Sequence, residues 1–306
     1  MPAAARAPHH VRATRSPDTH DRLVLPHPAL AACIRGTMVR NTLGATLSDA
    51  QRFNHFPASP LCSLTWWYAG HSELLASGQP ATLATPRAIL PPVPTFSGPF
   101  TRPTVSWNPG PGHGMMVLML PDALHRLTGV LAQDWVNQFV DAREVLPADW
   151  HTVLDAVQHA PDDSAGIACL EDFLAPRWAA ARPTLPIQAH RYVDWAQSLA
   201  LHAATSGPGR SLRQVERRIK RWAGLPLREL RGIGRAEQTF FAALAHVELH
   251  GEHAAPPNWA EFADANGYAD QSHLCRESRR VTGFSPDELF RRIRDEESFW
   301  AYRLWQ

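Results

Sequence analysis

The sequence predicts an α+β fold in which a β-rich, barrel-like N-terminal half with some helices precedes an all-α half built from two helix-turn-helix units and a connecting helix. Three observations lead there. At 306 residues the chain is long enough for two domains of roughly 100–200 residues each. Prolines and glycines crowd the stretch from about Leu23 to Trp150, with short apolar runs between them, a pattern of strands and turns. After Pro186 every strong periodicity is helical.

Taken in order, MPAAARAPHHVRATRSPDTHD has no apolar run of the length a signal peptide needs. Residues 1–22 are therefore expected to be a disordered leader. The N-terminal domain spans 23–182. In it CSLTWWYAG (Cys62–Gly70) and MMVLMLP (Met115–Pro121) read as strands bounded by turn residues. In ILPPVPTFSGP (Ile89–Pro99) and SWNPGPGHG (Ser106–Gly114) repeated proline precludes helix. From Asp122 the pattern turns helical through LHRLTGVLAQDWVNQFVDAREVL, and Ala168–Ala181 reads as a further helix. The two prolines of ARPTLP (Ala181–Pro186) mark a domain boundary.

Composition excludes several classes. Hydrophobic residues make up 44% and charged residues 19%, which is globular and not disordered or fibrous. Cys33, Cys62, Cys169 and Cys275 show neither C-x-x-C nor finger spacing, so a reduced, cytoplasmic protein is expected. No run of 18 apolar residues occurs, so no membrane span is expected. HVELHGEH places His246, His250 and His253 close together, but it is not H-E-x-x-H, and a zinc hydrolase would lack its general base. No catalytic residue, metal or cofactor is expected.

The second domain, 187–306, contains a first unit at about 190–224, a connecting helix at 226–250 and a second unit at 258–290. In Arg210–Gly224 the residues Leu212, Val215, Ile219 and Trp222 recur at helical spacing and predict a buried face. Arg213, Arg217, Arg218, Lys220 and Arg221 lie opposite. Gly224 supplies a helix stop, and Pro226 opens the next helix. In the second unit Asn258 is an N-cap, Trp259, Phe262 and Ala263 form an apolar face, and Gly267 sits at the turn. Asp270 then caps Gln271–Gly283, which buries Leu274 and Val281 and exposes Gln271, His273, Arg276, Arg279 and Arg280. A helix, a short turn with glycine and a second helix with a basic outer face make a helix-turn-helix plan.

The near-neutral net charge of +1 conceals segregation. From 210 to 235 there are nine basic residues against two acids, from 236 to 270 six acids and no Lys or Arg, and from 271 to 294 six basic residues against three acids. Two cationic patches with an acidic connector between them suggest two contacts with a polyanion.

At these residues the chain resembles the AraC/XylS family of bacterial transcription regulators. GYADQSHLCRESRRVTGFSP (Gly267–Pro286) is close to that family's signature around its second recognition helix. SLRQVERRIKRWAGLPLRELRGIGRAEQ (Ser211–Gln238) is similar to its first recognition helix and connector. HFPASPLCSLTWWYAG, FSGPFTRP and PGPGH resemble sensor domains attached to the family. Two departures stand out: AATSGPGR (Ala203–Arg210) occupies the place of a tight turn, and Ser278 stands where an apolar residue is usual, a gap that Trp259 or Phe284 could fill.

The resemblance implies a sequence-specific regulator whose two recognition helices enter successive major grooves of double-stranded DNA. Base contacts would come from Ser211, Arg213, Glu216 and Arg217, and from Gln271, Ser272, His273, Cys275 and Arg276. Arg218, Lys220, Arg279 and Arg280 would meet phosphates. The N-terminal domain would take a small-molecule effector, with Trp66, Trp67, Tyr68, Trp107 and His113 as candidate pocket residues. RNA polymerase is the expected partner of an activator, and a homodimer is possible. Two other readings are an N-terminal metal-dependent enzyme fused to a DNA-binding tail and a domain that only dimerises.

Overall fold

The computed structural model describes residues 15–183, 191–206, 211–250 and 257–305, without the side chains of Glu248 and His250. The N-terminal half runs β1 (His20–Val24), β2 (Ile34–Asn41), β3 (Phe53–Phe56), β4 (Cys62–Ala69), β5 (Glu73–Leu75), β6 (Arg87–Ile89), β7 (Thr95–Ser97), β8 (Thr104–Trp107), β9 (His113–Met119), α1 (Pro121–Thr128), β10 (Phe139–Asp141), α2 (Ala142–Val145), α3 (His151–Gln158) and α4 (Asp163–Ala181). The C-terminal half is α5 (Tyr192–Thr205), α6 (Leu212–Ala223), α7 (Leu227–His250), α8 (Trp259–Ala265), α9 (Gln271–Thr282), α10 (Pro286–Asp295) and α11 (Trp300–Arg303).

The β part, expected to be β-rich and barrel-like, is a pair of antiparallel sheets. One sheet has the order β1-β2-β9-β4-β7-β10 and the other β3-β8-β5-β6. Side chains alternate across a strand, and this assigns the faces of the large sheet. Cys62, Leu64 and Trp66 of β4 and Met115, Val117 and Met119 of β9 join Leu124, Leu154, Leu170 and Leu174 in a core under the helices. Ser63, Thr65 and Trp67, with Gly114, Met116 and Leu118, face the second sheet across a cavity.

Two expectations are corrected. Residues 20–22, assigned to a leader, begin β1, whose register pairs His20 with Asn41 and Val24 with Thr37; residues 1–14 lie outside those described. The continuous helix from Asp122 breaks after one short helix, because Gly129 turns left-handed at φ 77° and caps α1. The chain then passes Asn137, at φ 60°, and adds β10 to β7. Thr95–Ser97, inside a proline-rich stretch, is an internal strand between β4 and β10, which is possible because its flanking prolines stand outside the ladder.

The helical half follows its caps. Ser211 and Gln214 form a capping box on α6, Asn258 caps α8 and Asp270 caps α9. Left-handed glycines end both α6 (Gly224, φ 77°) and α9 (Gly283, φ 88°). Leu212 departs from the expected buried stripe: it is 87% exposed, whereas Ile219 is fully buried. As the first residue of α6 it projects beyond the surface that the helix packs on.

The connecting helix α7 lets its neighbours approach closely at two glycines. A Cβ on Gly234 would meet the Val193 backbone nitrogen at 3.0 Å, and one on Gly232 would meet the Arg280 guanidinium at 2.6 Å. Helix α5 thus packs on α7 through bare backbone, and α9 reaches it from the other unit. A single core cluster includes Trp66, Leu154, Trp195, Leu199, Ile219, Leu230 and Val281, so the halves share a core. The expected boundary falls at the end of α4, with residues 184–190 outside those described.

Candidate nucleic-acid interface and inter-sheet cavity

Helices α6 and α9, the two expected to read DNA, each turn the N-terminal end outward and rest the C-terminal end on the N-terminal half. In α6 the exposed residues are Ser211, Leu212, Arg213, Glu216, Arg217, Lys220 and Arg221. At its other end a Cβ on Gly224 would lie 3.1 Å from each of Ala132 O, Pro99 Cγ and Val136 Cγ2. In α9, Gln271, Ser272, Arg276 and Arg279 are exposed. Its last turn is held where the Ala58 amide donates to the Val281 carbonyl at 2.7 Å, and a Cβ on Gly283 would lie 3.6 Å from Pro103 Cγ.

Several expected DNA contacts already have work within the fold. The Ser211 hydroxyl donates to Gln214 Oε1 at 3.0 Å. The Glu216 carboxylate accepts from the Leu227 amide at 3.0 Å and so caps α7. Half-buried Arg218 donates to the Ala203 carbonyl at 2.7 Å. His273 Nδ1 accepts from the Ala269 amide at 3.3 Å, and Cys275 is half-buried. Arg280 pairs with Glu277 at 3.0 Å and lies against Gly232, away from the outer face. The freely presented set is therefore Arg213, Arg217 and Lys220 on α6 and Gln271, Ser272, Arg276 and Arg279 on α9. Exposed Leu212 joins them; the residue is visible in the sequence, but its helical spacing had placed it on the inner face.

The turn departures also find their places. The described part of the first turn, 203–206, ends α5, and 207–210 lie outside the described residues. Ser278 donates to the Phe284 carbonyl at 2.8 Å. Neither Trp259 nor Phe284 fills the space beside it: a cavity of about 120 Å³ remains, bounded by Trp259, Leu274, Ser278, Val281, Leu289 and residues of α7.

The five residues expected to line a pocket do not line one cavity together. Among the five candidate residues only Trp67 lines the cavity of about 190 Å³ between the sheets. Trp66 faces the opposite way, fully buried, and its indole donates to the Leu154 carbonyl at 3.1 Å. Tyr68 packs on His113, with rings 5.0 Å apart, and His113 Nε2 lies 2.8 Å from Asp163 Oδ1. Burial and then the Asp163 charge push the Tyr68 phenol up to about 12. Trp107 stacks under Arg87 at 4.3 Å and donates to the Asp49 carbonyl at 3.2 Å. These four hold the fold together.

Apart from Trp67, the cavity wall is made of residues that no local sequence pattern indicated. Thr65 and Trp67 of β4, Asn54 and Phe56 of β3, Phe100 and Phe139 contribute from the sheets and their loops, and Trp300, Tyr302 and Trp305 close it from the C-terminal end. The Trp300 indole stacks on the Arg40 guanidinium at 4.8 Å. Tyr192, Tyr302, Trp305 and Pro57 also line the smaller cavity inside the second unit, so the two spaces share a wall.

Segment 98–103 connects this cavity to both α6 and α9. Phe100 lines the cavity and packs on Phe139 at 4.8 Å. Its backbone exchanges two hydrogen bonds with Ser59, at 2.8 and 3.0 Å. Pro99 on one side touches the end of α6, and Pro103 on the other touches the end of α9.

Among the described residues no group of three or more His, Cys, Asp or Glu side chains is placed to hold a metal ion. Of the histidines considered for zinc, His246 packs edge-on against Phe262 at 5.7 Å; the His250 side chain and His253 lie outside what is described. Cys33 and Cys62 are buried thiols, their pKa values pushed up by burial. No helix among the described residues is long and apolar enough to cross a membrane.

No protein-family model and no curated protein matches the chain. Solved structures with a similar chain path include those of ToxT from Vibrio cholerae. One is 12% identical, covering 78% of this chain and 93% of that chain with a TM-score of 0.34. A structure of an apo ToxT variant is 9% identical, covering 90% and 97% with a TM-score of 0.35. Another, of ToxT bound to an unsaturated fatty acid, is 9% identical, covering 77% and 93% with a TM-score of 0.32.

Proposed function

We propose that this chain is a DNA-binding transcription regulator of the AraC/XylS type, controlled by a small molecule held between the sheets of its N-terminal half. The observation that carries the reading is the matched placement of α6 and α9: each exposes its N-terminal residues together with basic side chains further along the same face, and each seats a left-handed glycine cap on the same N-terminal segment. A recognition helix reads bases from its N-terminal residues in the major groove, and these are the residues left free. Arg213, Arg217 and Arg276 suit guanine, Gln271 suits adenine, and exposed Leu212 suits a thymine methyl group. Lys220 and Arg279 suit phosphates.

Control follows from segment 98–103. A ligand that moves Phe100 shifts Pro99 and Pro103 together, and with them the seats of both recognition helices. The ligand would bias the helix arrangement only through a difference in affinity between the two arrangements.

The test uses binding-site selection from random DNA, followed by affinity measurements on substituted sites. Arg276→Ala is expected to relax preference at one base position, costing about 1–3 kcal/mol there. Arg279→Ala is expected to weaken all sequences alike. Selection of no consensus site, or equal behaviour of the two variants, would count against the proposal.

A further inference from the structure

We infer that the cavity between the sheets takes an uncharged ligand of single-ring size carrying a hydrogen-bond acceptor, held by the Trp67 indole N–H and the Thr65 hydroxyl. This rests on the reading of that cavity as the effector site.

Size comes first. At about 190 Å³ the space is somewhat larger than an engineered cavity of roughly 150 Å³ that admits benzene, so one ring with a short substituent fits.

The polar requirement comes from two orphaned atoms. Thr65 Oγ1 and Trp67 Nε1 are buried and have no hydrogen-bond partner among the described residues. They sit two residues apart on β4 and therefore on one face of the strand, the face that lines the cavity. The indole is accommodated because Gly112 and Gly114 lie beside it: a Cβ on either would come within 3.5 Å of its ring. An indole N–H only donates and a hydroxyl can donate, so the pair calls for an acceptor. Buried donors of this kind are costly until they are satisfied.

The charge requirement comes from the cations. Two arginines line the cavity, and no acidic side chain does so among the described residues. Arg40 is held by Asp21 at 2.8 Å and Glu297 at 3.0 Å. Arg52 donates to the Pro109 carbonyl at 3.0 Å and faces Asp49 at 3.5 Å. With both neutralised, a carboxylate would lose its hydration without gaining a free counter-charge.

The experiment compares three probes of one shape on the full chain without DNA: acetophenone, cumene and benzoate, by calorimetry and thermal shift. Acetophenone is expected to bind about tenfold more tightly than cumene, and benzoate more weakly than either. In Trp67→Phe, which keeps the ring and removes the donor, the preference for acetophenone over cumene is expected to fall severalfold while the fold is retained. Benzoate as the tightest probe, equal affinity for acetophenone and cumene, an unchanged ranking in Trp67→Phe, or binding of none of the three would overturn the inference. Because DNA is left out, a failure here is distinct from a failure to bind DNA.

Discussion

The indole of Trp300, just beyond the second helix-turn-helix unit, donates a hydrogen bond of 2.8 Å to Asn54 Oδ1 in strand β3, 246 residues away in sequence. Both groups are buried. The same segment anchors the N-terminal strands through Glu297, which receives Arg40 at 3.0 Å and Arg303 at 3.4 Å. The C-terminal end of the chain is thus a structural part of the sheet pair. Trp300→Phe keeps most of the packing and leaves the Asn54 oxygen buried without this donor, an expected loss of about 1–3 kcal/mol in denaturant unfolding. The double variant Trp300→Phe with Asn54→Ala should lose less in total than the two single changes added together, since the contact is lost once.

His55 makes the joint between the halves pH-sensitive. Its ring stacks on Phe299 at 4.5 Å and meets Phe284 edge-on at 5.6 Å. Burial, with a smaller push from the Arg292 charge, lowers its pKa to about 3. A folded pKa below the unfolded value of about 6.5 means that the unfolded chain binds the proton first. The contribution is present in full above that value and is lost as pH falls toward 3, with a slope of up to about 1.4 kcal/mol per pH unit. His55→Phe should flatten the stability profile between pH 6 and 4 relative to the parent. Parallel profiles would show that the imidazole does not titrate this way.

Ser278 borders space that an apolar side chain could use. Its hydroxyl is bonded to the Phe284 carbonyl at 2.8 Å; the Thr282 hydroxyl lies 3.2 Å from the same oxygen and 2.8 Å from the Ser278 carbonyl, so it can turn to the Phe284 carbonyl if Ser278 is replaced only by giving up the nearer acceptor. Ser278→Leu is expected to fill part of the adjacent cavity and stabilise the protein by about 1 kcal/mol. A loss of stability would indicate that the space is too narrow for the new side chain.

Under the proposed function, a change at Leu212 should separate DNA reading from folding. Because it is 87% exposed, Leu212→Ser should change unfolding free energy by less than about 0.5 kcal/mol. Affinity for a selected site should nevertheless drop severalfold, with the loss confined to one thymine position. In contrast, Arg218→Ala and Arg280→Ala are expected to lower stability, because both guanidiniums serve contacts inside the helical half.

What the sequence disclosed was mostly local. The second unit was legible because Asn258, Gly267, Asp270 and Gly283 each act within a few residues, as caps and turns do. The short apolar strands were legible for the same reason. The break in the helical pattern through 124–146 was not, since its apolar spacing continues past Gly129 while strand pairing with β7 decides the fold. Neighbouring Trp66 and Trp67 had to point to opposite faces, yet only the helices packed over one face determine which of them reaches the cavity. The roles of Asn54, Phe100 and Trp300 depend on contacts between distant segments, and no periodicity encodes those. The free and engaged arginines of α6 and α9 look alike in sequence; Glu277 and the Ala203 carbonyl distinguish them.

The most direct test of the central claim is hydroxyl-radical footprinting of the protein on a site selected from random DNA. Two recognition helices on one face of the duplex should protect two patches about 10 base pairs apart. Substituting Arg213 and Arg217 together should erase one patch, and substituting Gln271 and Arg276 the other. Affinity should fall linearly on logarithmic axes as salt rises. A single patch that both double variants weaken equally, or no protection under any salt condition, would contradict the account.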